Sequence, residues 1–188
     1  WNRNTTEYEK NLSRIVEIAQ QICSALEHAH KNSIVHRELK PDNVLLSQAT
    51  ELGNIKLADL GLPADGSPVS RSGVIVGTAA YMAPEQALGQ PVDGRTDLYS
   101  LGVLLYELTT GRPPFSGDDS LTVVSQHVHA PVVPPRVLRP DLPRALETVI
   151  LRLLAKDPTQ RYRSAAETRT ALSQSLSDAD VAADIDGG

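Results

Sequence analysis

The run Asp97 to Thr110, D-L-Y-S-L-G-V-L-L-Y-E-L-T-T, constrains the fold more than any other stretch. Apolar residues fall on nearly every side of the helix it would form, which marks a buried helix rather than an amphipathic one. It is too short to span a bilayer, which takes roughly 20 apolar residues. Gly111 and Pro113-Pro114 stop it. A chain of 188 residues is long enough for one good-sized core around such a helix and short for two.

Other helices are legible around it. From Leu12 the apolar positions Ile15, Ile18, Ala19, Ile22, Leu26 and Ala29 follow helical spacing, ending near Lys31-Asn32, where Asn can take a left-handed closing conformation. His28 and His30 lie on different faces of that helix and read as ordinary helix residues rather than a metal pair; His127 and His129 repeat the pattern. Further helices are expected over about Ser120 to His129, about Arg144 to Ala155, and from near Ser164 into an acidic tail at Asp178 to Gly188. The stretch 131–143 holds five prolines. It reads as a rigid loop joining two helices, with a ligand for proline-recognising domains as the alternative. Residues 62–76 are rich in Pro, Gly and Ser without periodicity, a flexible loop.

Strand-like segments are few and frame one charged knot. Ile34-Val35 runs into His36, Arg37, Glu38, Lys40, Asp42 and Asn43, and Val44 to Leu46 follows at once. Carboxylate, ammonium and amide so close together suit phosphate and metal better than a core. A return through Gly53-Asn54 leads into Ile55-Lys56-Leu57-Ala58 and Asp59.

Residues 34–46, I-V-H-R-E-L-K-P-D-N-V-L-L, resemble the catalytic loop of the protein kinase family, H-R-D-L-K-x-x-N, with Glu38 as the departure. Asp59-Leu60-Gly61 resembles the family's D-F-G, and Ala83-Pro84-Glu85 its A-P-E. Three motifs in the family's order, with G-T-A-A-Y-M-A-P-E-Q and G-R-P-P-F, look most like the bacterial serine/threonine kinases of eukaryotic (Hanks) type. The resemblance implies an α+β, mainly helical fold: the C-terminal lobe of a protein kinase over residues 12–175, without the N-terminal β-lobe. Residues 1–11 would be a flexible end, 59–85 the activation segment, and 176–188 an acidic flexible tail.

The same resemblance implies ATP and Mg²⁺ as cofactors and a protein Ser or Thr as acceptor. Asn43 and Asp59 would be the magnesium ligands, hard oxygen donors of the kind this ion takes. Lys40 would stabilise the transferring phosphate, and Glu38 stands where the family's Asp orients the substrate hydroxyl. Glutamate keeps the charge but moves it by about 1.5 Å, and misplacement on the order of 1 Å can cost about 100-fold in rate. The expectation is a weakened kinase or, alternatively, a pseudokinase-type scaffold or binding module. Leu60 would pack against His36, a structural residue here. Arg37 could pair with a phosphate on Ser67, Ser70 or Ser72. Thr78 would bond toward Glu38 and Lys40, Glu85 would pair with Arg161, and Asp97 would hold the catalytic-loop backbone.

No glycine precedes Gly53, so the glycine-rich phosphate roof of a kinase is not encoded upstream of the catalytic loop here. The chain is expected to need an N-terminal kinase lobe as a partner and to be inactive alone. Net charge −5 without a basic run, and 4% aromatics, argue against nucleic acid. The single Cys23 fits a reducing setting. With no apolar run near bilayer length, no membrane contact is expected within the chain, and the expected location is cytoplasmic, or the cytosolic part of a larger protein.

Overall fold

The structure is a computed structural model that describes residues 5–47, 54–60 and 79–183. In chain order it comprises α1 (Thr5–Lys31), β1 (Val44–Ser47), β2 (Asn54–Leu57), α2 (Pro84–Ala87), α3 (Gly94–Thr110), α4 (Ser120–His129), α5 (Pro135–Leu138), α6 (Arg144–Leu153) and α7 (Ala165–Ala183). Short 3₁₀ turns at Pro41–Asn43 and Pro158–Gln160 complete it. It is mainly helical with one antiparallel strand pair, the protein-kinase-like C-lobe arrangement that the motifs imply.

The all-round apolar run becomes the central helix. α3 is buried continuously from Thr96 to Tyr106 and packs against α1, α5, α6 and α7. Asp93 caps its start, accepting the Arg95 N–H at 2.8 Å, and Gly111 closes it at φ 83 with its N–H on the Glu107 carbonyl at 2.7 Å. Gly102 permits the approach of α6, since a Cβ there would stand 2.7 Å from Leu153 Cβ.

Helix α1 ends at Lys31 as its sequence reading has it, but it starts earlier and is followed by a different left-handed residue. It begins at Thr5 rather than Leu12, so the segment expected as a flexible end is helical for most of its length. Polar residues such as Glu7 and Lys10 carry no apolar periodicity, yet they are good helix formers, and Glu7 suits a helix N-terminus. At the C-terminal end Ser33, not Asn32, takes the left-handed conformation, φ 60. Asn32 instead donates its side-chain amide to the His28 carbonyl at 2.8 Å. The buried stripe is Leu12, Val16, Ala19, Ile22, Cys23, Leu26 and Ala29, with Ile15 and Ile18 on its flank. Burial pushes the Cys23 thiol up to about 12, so it packs as an inert apolar group.

The strands pair Val44 with Leu57 and Ser47 with Asn54, and Ile55 is pinned to α1 by its N–H on Gln21 Oε1 at 2.9 Å. At the other end of the chain α6 stops at Leu153, two residues early, and α7 continues to Ala183 instead of fraying at Asp178.

Candidate active site

The catalytic-loop stretch is held from below by one buried carboxylate. Asp97, fully buried in the first turn of α3, accepts the N–H of His36 at 2.8 Å and of Arg37 at 2.7 Å. His30 Nε2 joins the same carboxylate at 2.7 Å. This clamp holds Arg37 at φ 69, a conformation uncommon outside glycine that needs surrounding contacts to persist. The expected role of Asp97 is thus visible. His30 is more than the ordinary helix residue its spacing suggested: its ring also fills the space over Gly94, where a Cβ would meet Nδ1 at 2.7 Å. A signal was available, because His30 lies one turn beyond Leu26 on the inward side of α1.

Asn43 and Asp59 are brought together by the strand pair. Val44 faces Leu57 in register, and the Ala58 N–H donates to the Asn43 carbonyl at 2.9 Å, so Asp59 follows directly on a residue bonded to Asn43. Asn43 is buried, and its Nδ2 donates to the Glu38 carbonyl at 2.8 Å. An amide so engaged keeps Oδ1 as its free end, a hard oxygen donor. Asp59 is exposed at φ 54, a second left-handed non-glycine residue inside the site. An exposed carboxylate and an oriented amide oxygen form the donor chemistry that Mg²⁺ takes, so these residues fit the ion.

Glu38 is exposed, and its backbone N–H lies 3.4 Å from His36 Nδ1. Lys40 is half-buried at the entrance to the 3₁₀ turn. His36 is buried with Nε2 unpartnered among the described residues, which suits a structural residue rather than a general base. Leu60 is 41% exposed and stands outside the core cluster. Leu45 and Leu46, on opposite faces of β1, are 52% and 57% exposed. Sequence reading took them as plain strand residues. Ser67, Ser70, Ser72 and Thr78 lie outside the described residues.

The substrate-side support is strong. Arg161 forks onto Glu85, Nη1 to Oε1 at 2.7 Å and Nη2 to Oε2 at 2.9 Å, with both residues buried. The guanidinium also donates to the carbonyls of Ala155, Arg95 and Lys156, and Thr96 Oγ1 donates to Glu85 at 2.8 Å. Burial alone would raise the Glu85 carboxyl, but the Arg161 hydrogen bonds and charge outweigh it and hold the group below the usual carboxylate range. Gln86 completes the join in a way sequence reading missed. Its Nε2 donates to the Arg37 carbonyl at 2.9 Å while its Oε1 takes the Ala83 N–H at 3.1 Å, tying α2 to the catalytic loop. The N3 position of a helix start was the available signal.

Known proteins resemble this chain in sequence and fold. The chain matches the family described as "Protein kinase domain" over residues 3–173. It belongs to the protein kinase family. Its relatives lie in the bacterial Hanks-type serine/threonine branch. It is 42% identical over 171 residues to serine/threonine-protein kinase PknB of Mycobacterium tuberculosis, covering 89% of this chain and 27% of that protein. To serine/threonine-protein kinase Pkn1 of Myxococcus xanthus it is 46% identical over 170 residues, covering 87% of this chain and 24% of the relative. The solved PknI kinase domain of Mycobacterium tuberculosis superposes with a TM-score of 0.64 at 29% identity, covering 87% of this chain and 55% of that one. The chain thus spans about a quarter of the length of the curated relatives it matches. No described helix is long and apolar enough to cross a membrane.

Proposed function

We propose that these residues form the metal- and acceptor-binding half of a serine/threonine protein kinase, which moves the ATP γ-phosphate to a protein hydroxyl once a nucleotide-covering lobe completes the site. The observation that carries this reading is the join of Asn43 to the strand entering Asp59 by the Ala58-to-Asn43 backbone bond of 2.9 Å. Asn43 Oδ1 and the Asp59 carboxylate would hold Mg²⁺, whose chemistry when bound is to neutralise phosphate charge. Lys40 contributes a positive charge toward the transferring phosphate, and Glu38 receives and orients the acceptor hydroxyl. Exposed Leu45 and Leu46, on opposite faces of β1, offer apolar contacts suited to a nucleotide base on one side and the covering lobe on the other. Such chemistry would suit the cytosolic side, where Mg-ATP is available.

The experiment is phosphotransfer from Mg-ATP to a Ser/Thr protein substrate by the complete polypeptide, beside variants Asn43→Ala and Asp59→Ala. Loss of transfer in both, with folding intact, supports the reading. The exposed Glu38, one methylene longer than the family's residue, favours a second reading: a pseudokinase-type binding module. Absence of transfer from the complete wild-type protein and from Glu38→Asp alike would establish that module and end the enzyme reading.

A further inference from the structure

The proline-rich link between α4 and α6 takes no part in the site, and only some of its residues are seated on the lobe. Val132 is half-buried against the core and Pro135 is buried, whereas Pro131, Val133 and Pro134 are exposed. Ala130 lies at φ −79, ψ 138 and Pro134 at φ −55, ψ 133, both close to polyproline II values. Between them the Pro131 ring fixes its own φ near about −65°, and Pro134 biases Val133 toward extended backbone. Polyproline II has three residues per turn, so positions 132 and 135 form one edge seated on the lobe. Pro131, Val133 and Pro134 face outward, and Ala130 is half-buried.

This conformation is held in place before any partner arrives. The Ala130 N–H donates to the Gln126 carbonyl at 2.9 Å, and the Tyr106 hydroxyl donates to the Val133 carbonyl at 3.0 Å. The segment carries two X-Pro units, Ala130-Pro131 and Val133-Pro134, one turn apart. Two residues further on, Arg136 is half-exposed. Its guanidinium donates to the Pro140 carbonyl at 3.1 Å, with Nε buried and unpartnered and no ion pair among the described residues, while the Glu147 carboxylate accepts its backbone N–H at 2.8 Å. Asp141, close by in sequence, is engaged by Arg139.

We propose that residues 130–136 are a preformed docking ligand for a proline-recognising domain of the SH3 type. Such a groove presents aromatic side chains that take successive X-Pro units, a low-entropy recognition mode, and an acidic pocket beside it would take Arg136. The partner is therefore a protein domain with an aromatic, acid-flanked groove. The site is separate from the catalytic loop and does not depend on phosphoryl transfer.

The test is titration of the intact chain into a ¹⁵N-labelled SH3 domain whose ligands carry two X-Pro units followed by arginine, read from groove aromatic and indole resonances. The expected result is saturable binding that weakens by about tenfold or more, about 1.4 kcal/mol, in Pro131→Ala/Pro134→Ala. Arg136→Gln should also weaken it, and Pro140→Ala should bind as the parent does. Val133→Asp, a single exposed change away from the buried edge, provides a second disrupting variant, with melting curves checking the fold of each. Absence of binding by the folded parent, or binding unchanged in both the double variant and Val133→Asp, would overturn the proposal and leave the segment a rigid connector.

Discussion

At the scale of single residues, the carboxylate at position 38 sets the rate question and the one at 85 the stability question. Glu38→Asp in the complete protein should shorten the reach by one methylene and raise phosphotransfer, by up to about 100-fold if misplacement is the whole defect. Initial rates at saturating Mg-ATP measure it, and a fall would show a pocket adapted to glutamate. Arg161→Met strands the Glu85 carboxylate among buried groups and removes three carbonyl contacts. Stranding one member of a buried pair costs about 3–5 kcal/mol, so the urea midpoint should drop accordingly. His30 and Asp97 form the third such unit. Asp97→Asn keeps the shape but removes one acceptor, and amide exchange at His36 and Arg37 should quicken where it now accepts their N–H groups.

At the scale of elements, the α3–α6 contact depends on the missing side chain at Gly102. A methyl there would stand 2.7 Å from Leu153 Cβ, so something must move. Gly102→Ala should therefore destabilise by about 1–3 kcal/mol, the usual cost of overpacking, even though alanine is the better helix former. Leu153→Gly, which removes that Cβ, should cost less in the Gly102→Ala background than in the wild type, since the two positions share one space. A double-mutant cycle by chemical denaturation checks this, and strict additivity would refute the contact. The α1 helix makes a related point. Its inward face is set by what α3 and α7 require, which is why Val16 is fully buried while Ile15 and Ile18 sit on the flank.

At the scale of the whole molecule, stability should depend on acid through buried groups outside the catalytic loop. His127 is fully buried, bonded to the Tyr99 hydroxyl at 2.9 Å and edge-on to Phe115. Burial, then the nearby Lys156 charge, pushes its pKa down to about 4. The unfolded chain takes up this proton near the ordinary value of about 6.5, and the native state does so only near 4. The contribution is full above pH 6.5 and declines as pH falls toward 4, by roughly 3 kcal/mol in total. Glu85 works at lower pH. Its folded pKa lies below the usual value, so its contribution holds above that usual value and is lost as pH falls through the folded one. Unfolding free energies from pH 7.5 to 4 should therefore slope downward, and His127→Phe should flatten the upper part of that slope.

Much of this molecule is written locally. The all-round apolar run from Asp97 to Thr110 determined a buried central helix, because no other environment accepts it. The catalytic-loop and Asp59 stretches announced the site by motif and order, and α4 runs from Ser120 to His129 as its pattern indicates. Proline positions likewise marked 131–143 as irregular backbone, since the ring fixes φ and removes a donor. Tertiary structure alone decided the partners. His30 meets Asp97 across 67 residues of sequence and Gln86 reaches Arg37 across 49, pairings that no helical or strand period encodes. Tertiary structure also set the fate of His127, which spacing marked as ordinary and packing turned into a neutral core residue. The proline segment shows the division most plainly: composition offered either a connector or a ligand, and only packing on the lobe decided which of its three edges face solvent. Local chemistry limits what a segment can become, whereas burial and long-range hydrogen bonding depend on the surfaces that folding brings against it.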